Sequence, residues 1–359
     1  MNRDLTRGPV TKSMLLFAIP MILGDLLQQC YNIADTLIVG QFLGRDALAA
    51  VGSSFTLMTF LTSIILGLCM GSGALLSMRF GQRDERALCE NLCASFFFIA
   101  LVTVLLNILS FVCLDGLRTF LRVPAEVWGD MREYLFVIFM GIPAVFLYNY
   151  FASFLRAIGN SVIPLGFLAV SAVLNIALDL WFVIGLNRGV AGTAEATVIA
   201  QYVSGIGIAA YAFMRFPQVR SVWELCCLRR GRIQEIVSFS TLTCVQQSIM
   251  NLGILMVQGL VNSFGPVVMA AFAAAVKIDA FAYAGAGLRQ RLFHFYRPEL
   301  RRKRECTDTR GAEKCRVHFH GLLRGHIRAR LRICKTPYGD FCGCRRNRGH
   351  PGGRAVPSY

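Results

Sequence analysis

The sequence has 359 residues, of which 55% are hydrophobic and 16% are charged. A soluble protein is usually about a quarter charged and could not bury so much apolar surface, so the composition excludes an ordinary soluble globule. The net charge of +16 resembles that of nucleic-acid-binding proteins, but residues 286–359 contain 19 of the 37 Lys and Arg and all five His, so the charge belongs to one segment.

Eight apolar stretches follow one another through the rest of the chain, and each is long enough to cross a bilayer as a helix. They lie at 14–39, 47–76, 92–114, 134–155, 162–186, 190–213, 236–262 and 267–285. Short polar segments separate them. The pattern predicts an all-α polytopic membrane protein whose main partner is the lipid bilayer.

The charges of the connecting segments predict the orientation. If the N-terminus is cytoplasmic, twelve Lys and Arg lie in cytoplasmic segments and five in outer loops. Cytoplasmic loops of membrane proteins are enriched in these residues. We therefore expect a multi-pass protein of the plasma (inner) membrane with its N-terminus in the cytoplasm.

The first stretch contains polar side chains at helical spacing: Asp25, Gln28, Gln29, Asn32 and Asp35. Their steps of three and one residues place them along one side of a helix, so we expect this polar stripe to face the bundle interior. Pro20 lies upstream and cannot donate to the backbone ladder, which predicts a bend in this helix.

Further polar groups occur in the fifth and sixth stretches. Asn175 and Asp179 are four residues apart and share a helix face, and the sixth stretch contributes Thr197. Intramembrane carboxylates are costly, and together with Asp35 these oxygens would suit H⁺ or Na⁺, with Na⁺ at Asp35 and Asp179. The alternative is that these groups only hydrogen-bond helices to one another.

The eighth stretch contains Lys277 and Asp279, two residues apart and so on different faces. Lys277 would balance a carboxylate or lie at a substrate vestibule. Tyr31 is a candidate lining residue of a cavity for flat cations, although aromatic side chains on helices more often serve packing. The candidate cavity residues are therefore Gln28, Gln29, Asn32, Tyr31, Lys277 and Asp279.

An internal repeat links the first and seventh stretches. Leu26-Leu27-Gln28-Gln29-Cys30 is matched by Cys244-Val245-Gln246-Gln247-Ser248. Six stretches separate the copies, so both enter the membrane from the same side, as in the parallel repeats of transporters. A repeat of roughly 220 residues predicts an end near residue 450, beyond the present chain.

Residues 286–359 lack hydrophobic periodicity and admit three interpretations. They form a cytosolic basic tail for anionic lipid or nucleic acid, they bind zinc, or they are translated in the wrong frame. The pairs His318/His320 and Cys342/Cys344 are too close in sequence for the usual zinc ligands, so we expect no metal site there.

The frameshift is favoured by a test with synonymous codons. Suitable codons for the segment from Gly287 to Arg302, shifted by one nucleotide, encode D-F-G-N-A-F-S-T-F-I-A-Q-N-Y-G-A. The recovered A-Q-N-Y-G falls in the repeat register with Ser77-Met78-Arg79-Phe80-Gly81. Shifted arginine codons also yield the small residues of tightly packed membrane helices. We therefore expect a disordered, out-of-frame tail.

Several motifs together resemble the multidrug and toxic-compound extrusion (MATE) family over about residues 1–285. They are Asp4-Leu5-Thr6-Arg7-Gly8, Phe17-Ala18-Ile19-Pro20, Leu26-Leu27-Gln28-Gln29, Tyr31-Asn32-Ile33-Ala34-Asp35, Ile38-Val39-Gly40, Ala47-Leu48-Ala49-Ala50-Val51-Gly52, Leu155-Arg156-Ala157-Ile158-Gly159-Asn160 and Val276-Lys277-Ile278-Asp279-Ala280.

The resemblance implies two six-helix lobes around a cleft. The chain would contain a complete N-lobe (1–225), the first two helices of a C-lobe (226–285) and the basic tail (286–359). The family's ion-coupling cluster would map onto Asp35, Asn175, Asp179 and Thr197, with the helix bend at Pro20. Two departures are Asp25, where an amide is expected, and Gln246-Gln247, where some members have an acidic residue.

The implied function is an antiporter that exports cationic or amphipathic drugs in exchange for H⁺ or Na⁺. It would act as a monomer without a cofactor or nucleic-acid partner. One alternative is a lipid-linked oligosaccharide flippase, but pyrophosphate recognition needs several basic cavity residues, and the spans offer only Lys277. Another is a membrane-anchored protein that binds nucleic acid or lipid through its tail. We expect no enzyme, because no catalytic motif is present.

Overall fold

The computed structural model describes residues 10–220 and 230–276, and these residues form eleven helices and no β-strand. The helices are α1 (Val10–Ile38), α2 (Arg45–Gln82), α3 (Glu85–Val112), α4 (Leu114–Phe120), α5 (Ala125–Phe139), α6 (Ile142–Ala157), α7 (Val162–Leu180), α8 (Gly189–Arg215), α9 (Pro217–Arg220), α10 (Arg230–Asn262) and α11 (Pro266–Val276). One π-helical turn extends α1 (Val39–Leu43) and another extends α7 (Trp181–Gly185).

The predicted all-α membrane architecture is confirmed. Within the described ranges, five helices are long and apolar enough to cross a membrane: α2, α3, α7 with its π turn, α8, and α10. The pair α5 and α6 forms a sixth span if it is counted as one bent unit. Helices α1 and α11 coincide with the first and eighth predicted stretches, although residues 277–285 of the eighth lie outside the described ranges.

The fourth predicted stretch, 134–155, differs from a single helix. The helix axis bends by 47° between α5 and α6, and α5 already begins at Ala125. The last turn of α5 tightens, with the N–H groups of Met140 and Gly141 donating to carbonyls three residues back. Pro143 follows at the start of α6, where its missing N–H costs nothing. A proline inside an apolar run therefore marks the break.

Helix α2 lies at the centre of the bundle and packs against α3, α5, α6 and α10. Helix α1 packs against α7, and α7 against α8. Large side chains on α5 and α6, among them Phe139 and Phe154, are fully buried. These contacts position two sets of buried polar side chains, one between α1, α7 and α8 and the other between α2 and α10.

Helix α10 runs antiparallel to α2 at very short range. A Cβ atom added at Gly67 would lie 2.5 Å from the Cα of Cys244, and one at Gly71 would lie 2.5 Å from the Cα of Ser240. Small residues allow membrane helices to approach this closely and to gain dispersion energy along their backbones. The predicted lobe boundary at residue 225 falls between the described ranges and stays a prediction, as does the tail 286–359.

Candidate functional site

Two of the predicted ion-site helices are joined by a side-chain hydrogen bond. The Nδ2 group of Asn175 on α7 donates to Oγ1 of Thr197 on α8, at 3.2 Å. Asn175 is buried, and Asp179, one turn further along the same face, has no exposed surface. The structure thus brings Asn175 and Thr197 into direct contact and places Asp179 on the same face of α7 as Asn175.

Asp35 of α1 completes this arrangement, which we term the carboxylate cluster (Asp35, Asn175, Asp179 and Thr197). Its carboxylate and that of Asp179 interact electrostatically across the α1–α7 contact. Two like charges that interact in a low-dielectric interior repel each other. The cluster is therefore a site where one bound positive charge would relieve this repulsion.

The carboxylate cluster has spare hydrogen-bond acceptors. Neither carboxylate oxygen of Asp179 accepts a hydrogen bond from any described residue, and the same is true of Oδ1 of Asn175. A buried polar atom without a partner normally costs about 1–3 kcal/mol, more if it is charged. The donor set consists of carboxylate, amide and hydroxyl oxygens, which suit a proton or a hard cation such as Na⁺. The described residues contain no group of three or more His, Cys, Asp and Glu arranged to hold a metal ion.

Other residues border the cluster, and some were missed by sequence reasoning. Tyr31 lines a small pocket with Ser171, Asn175, Thr197 and Gln201. Ser171 precedes Asn175 by four residues, and Gln201 follows Thr197 by four, so helical periodicity could have identified both.

Tyr134 of α5 was also missed. Its phenol is buried and interacts electrostatically with Asp35 and Asp179. No local pattern in the sequence points to it, because α5 reaches the cluster only through the tertiary packing of the bundle.

The polar stripe of α1 faces several environments. Asn32 is buried, Gln29 and Asp25 are half-buried, and Gln28 is exposed. Helix α1 continues unbroken through Pro20, so the role of that residue as a bend stays a prediction. Lys277 and Asp279 lie outside the described ranges, and their place in a substrate cavity stays a prediction.

A second buried polar group, which we term the clasp, joins α2 to α10. It consists of Ser53, Thr56, Gln258 and Asn262. Ser53 Oγ donates to Asn262 Oδ1 at 3.0 Å, and Thr56 Oγ1 to Gln258 Oε1 at 3.1 Å. Gln258 Nε2 reaches both Ser53 Oγ (3.1 Å) and Asn262 Oδ1 (2.9 Å).

The clasp also reaches a third element, since Asn262 Nδ2 donates to the backbone carbonyl of Leu121, just after α4, at 2.9 Å. Sequence reasoning missed the clasp. Its signal is the pair Gln258 and Asn262, four residues apart in the otherwise apolar last part of α10 (residues 252–262).

Comparisons with known proteins identify relatives over much of the chain. Residues 20–181 match the family model MatE. The probable multidrug resistance protein YpnP of Bacillus subtilis is 29% identical over 286 residues, which cover 77% of this chain and 62% of YpnP. The probable multidrug resistance protein YoeA of the same organism is 33% identical over 211 residues, 57% of this chain and 45% of YoeA.

Solved structures agree in fold. A multidrug resistance MATE family transporter of the MOP superfamily in its inward-facing conformation superposes with a TM-score of 0.65 at 24% identity, over 77% of this chain and 64% of that one. The chain thus spans less than two thirds of the length of these relatives.

Proposed function

Because this chain belongs to the MATE family of efflux transporters, we propose that it is an antiporter polypeptide that exports cationic or amphipathic drugs in exchange for H⁺ or Na⁺. The observation that carries the proposal is the carboxylate cluster, where two carboxylates of different helices repel each other and Asp179 has unused acceptors. The names of the relatives, which describe multidrug resistance, support drugs as the substrate class.

The coupling step follows from electrostatics. A proton on Asp35 or Asp179, or a Na⁺ between their oxygens, removes the repulsion and lets α1 approach α7. Loss of the ion restores the repulsion and separates the helices. Since α1 leads through its π turn into α2, this movement reaches the centre of the bundle. Ion binding and drug release would then favour different arrangements of the same helices.

The mechanism is tested by removing one charge. Asp35→Asn keeps the size and polarity of the side chain, but it replaces one acceptor oxygen with an NH2 donor and cannot gain or lose the coupling proton. We expect it to abolish gradient-driven efflux, while Asp25→Asn, on the same helix, has a mild effect. The measurement, made in a protein whose reading frame is restored after Gly287, is efflux of an ethidium-type cation from energised vesicles, with separate H⁺ and Na⁺ gradients and matched expression. Normal transport by Asp35→Asn beside loss in Asp179→Asn would assign coupling to α7 instead.

The composition of the basic tail (286–359) calls for a paired measurement. Drug tolerance of an efflux-deficient host is compared between the chain as given and a gene with its second reading frame restored after Gly287. We expect only the frame-restored product, of about 450 residues by the repeat spacing, to protect the host. Equal protection by both would refute the expectation that the chain as given does not export drugs. Resequencing the gene around this codon tests the frameshift interpretation directly.

A further inference from the structure

The contact between α2 and α10 differs at its two ends. At one end, near the start of α2, the clasp contains four buried side chains, and each is hydrogen-bonded. At the other, which we term the ion-pair end, Arg79 forms a salt bridge with Glu235, and both side chains are about a quarter exposed. Partly exposed ion pairs contribute little to stability, because water competes for both partners.

Groups at the ion-pair end also lack partners. Among the described residues, Nε of Arg79 donates no hydrogen bond and the buried Oγ of Ser240 forms none, whereas at the clasp end one buried atom, Oγ of Ser54, is in the same state. Each such orphaned polar atom costs free energy that parting of the helices and access of water would recover. The ion-pair end is therefore the weaker of the two, although the glycine contacts at Gly67 and Gly71 lie in its half of the helix pair.

From this asymmetry we propose that the clasp is the contact that holds one end of the α2–α10 interface shut, and that the ion-pair end opens more readily. The four clasp side chains are neutral, so they can exchange their mutual hydrogen bonds for bonds to water without moving a charge. In lipid the same groups would be left unsatisfied. The clasp therefore opens only towards an aqueous cleft.

The position of the clasp connects it with the carboxylate cluster. Asp35 lies nine residues before Gly44 and Ser53 nine residues after it, so both lie at a similar depth of the bundle. The π turn between them packs on α2, with the position of a Cβ at Gly40 3.5 Å from Leu48. The next step rests on the proposed function and on a cytoplasmic N-terminus. With both, the clasp would close the outer side of the cleft, and drug would be released when the clasp parts.

Hydrogen–deuterium exchange of the full 359-residue chain in lipid nanodiscs tests the proposal without requiring transport. Peptides of the clasp end (residues 48–60 and 252–262) are compared with peptides of the ion-pair end (residues 74–82 and 233–242). In the unmodified chain we expect slower exchange at the clasp end. Gln258→Leu removes three of its hydrogen bonds, and we expect about tenfold faster exchange there, with little change at the ion-pair end.

Two variants serve as controls. Glu235→Gln should accelerate exchange at the ion-pair end alone. Thr56→Val removes one clasp hydrogen bond with nearly unchanged shape and should give a smaller increase at the clasp end, which keeps the test available if Gln258→Leu does not fold. Faster exchange along the whole of α2 and α10 in Gln258→Leu or Thr56→Val would show that these side chains stabilise the entire helix contact rather than one end of it, and would overturn the proposal. Failure of drug efflux alone would count against the proposed function and would not affect the proposal about the clasp.

Discussion

The clasp and the carboxylate cluster both place polar side chains inside the helix bundle, but they meet the cost of burying them in opposite ways. The clasp is neutral, and its four side chains meet one another's hydrogen-bonding needs between α2 and α10. The carboxylate cluster places two acidic side chains within electrostatic reach of each other and leaves the oxygens of Asp179 without hydrogen-bond partners in the described ranges. The first arrangement lowers the free energy of the packed helices, whereas the second raises it.

The difference indicates what each group is for. A protein retains a costly arrangement of buried charges where binding of a ligand offsets the cost, and perturbed carboxylates concentrate at such functional sites. A satisfied neutral network binds no ion and serves contact between helices. Stability measurements can therefore separate the two groups even in a chain that does not transport.

The largest expected effect is the contrast between one variant of the clasp and one of the carboxylate cluster, which should change the free energy of unfolding in opposite directions. Gln258→Leu leaves Ser53, Thr56 and Asn262 with fewer partners and should lower the free energy of unfolding by roughly 2 kcal/mol. Asp179→Asn removes a buried charge and should raise it by about 1–3 kcal/mol. Thermal unfolding in detergent measures both.

A matched control separates burial from the chemistry of the substitution. Asp115→Asn changes an exposed carboxylate paired with Arg132 and should have little effect. Destabilisation by Asp179→Asn would show that the carboxylate is needed for packing, and the contrast between the clasp and the carboxylate cluster would fail.

A smaller effect is expected from the close approach of α2 and α10, which brings the clasp side chains within reach of one another. Gly71→Ala places a Cβ 2.5 Å from the backbone of Ser240, so the helices must separate, at a cost of about 1–3 kcal/mol. Gly253→Ala on α10 meets nothing within 4 Å and should be neutral or stabilising. If Gly71→Ala also accelerates exchange at the clasp, the glycine contacts and the clasp form one cooperative unit.

The sequence predicts the carboxylate cluster better than the clasp for a physical reason. Charged residues in apolar stretches stand out because burying them is costly, and spacing of four residues places Asn175 and Asp179 on one face without knowledge of the fold. The clasp joins residues about 200 positions apart, and Ser and Thr occur in many apolar helices, so nothing local marks Ser53 or Thr56.

For the helices, too, local features can be predicted from the sequence, whereas features that depend on tertiary contacts cannot. Long apolar runs predict spans, but they do not predict that Gly141, between α5 and α6, approaches α8 so closely that a Cβ there would lie 2.7 Å from Oε1 of Gln201. Tertiary contacts of this kind leave no periodic signal. The proline at 143 indicates a break without giving its angle.

The smallest expected effect concerns the ion-pair end and tests the asymmetry directly. A double-mutant cycle with Arg79→Gln and Glu235→Gln should give a coupling free energy of about 0.2–1 kcal/mol, because both side chains reach water. Arg79 also donates to Gln82 at 3.2 Å, so Arg79→Gln removes this hydrogen bond as well as the ion pair. Only the double-mutant cycle isolates the free energy of the Arg79–Glu235 interaction. The coupling should weaken in high salt, whereas the effect of Gln258→Leu should not. A salt-independent coupling above about 2 kcal/mol would mean that the Arg79–Glu235 pair behaves as a buried bridge. The ion-pair end would then be the stronger end, and the clasp would be the end that opens first.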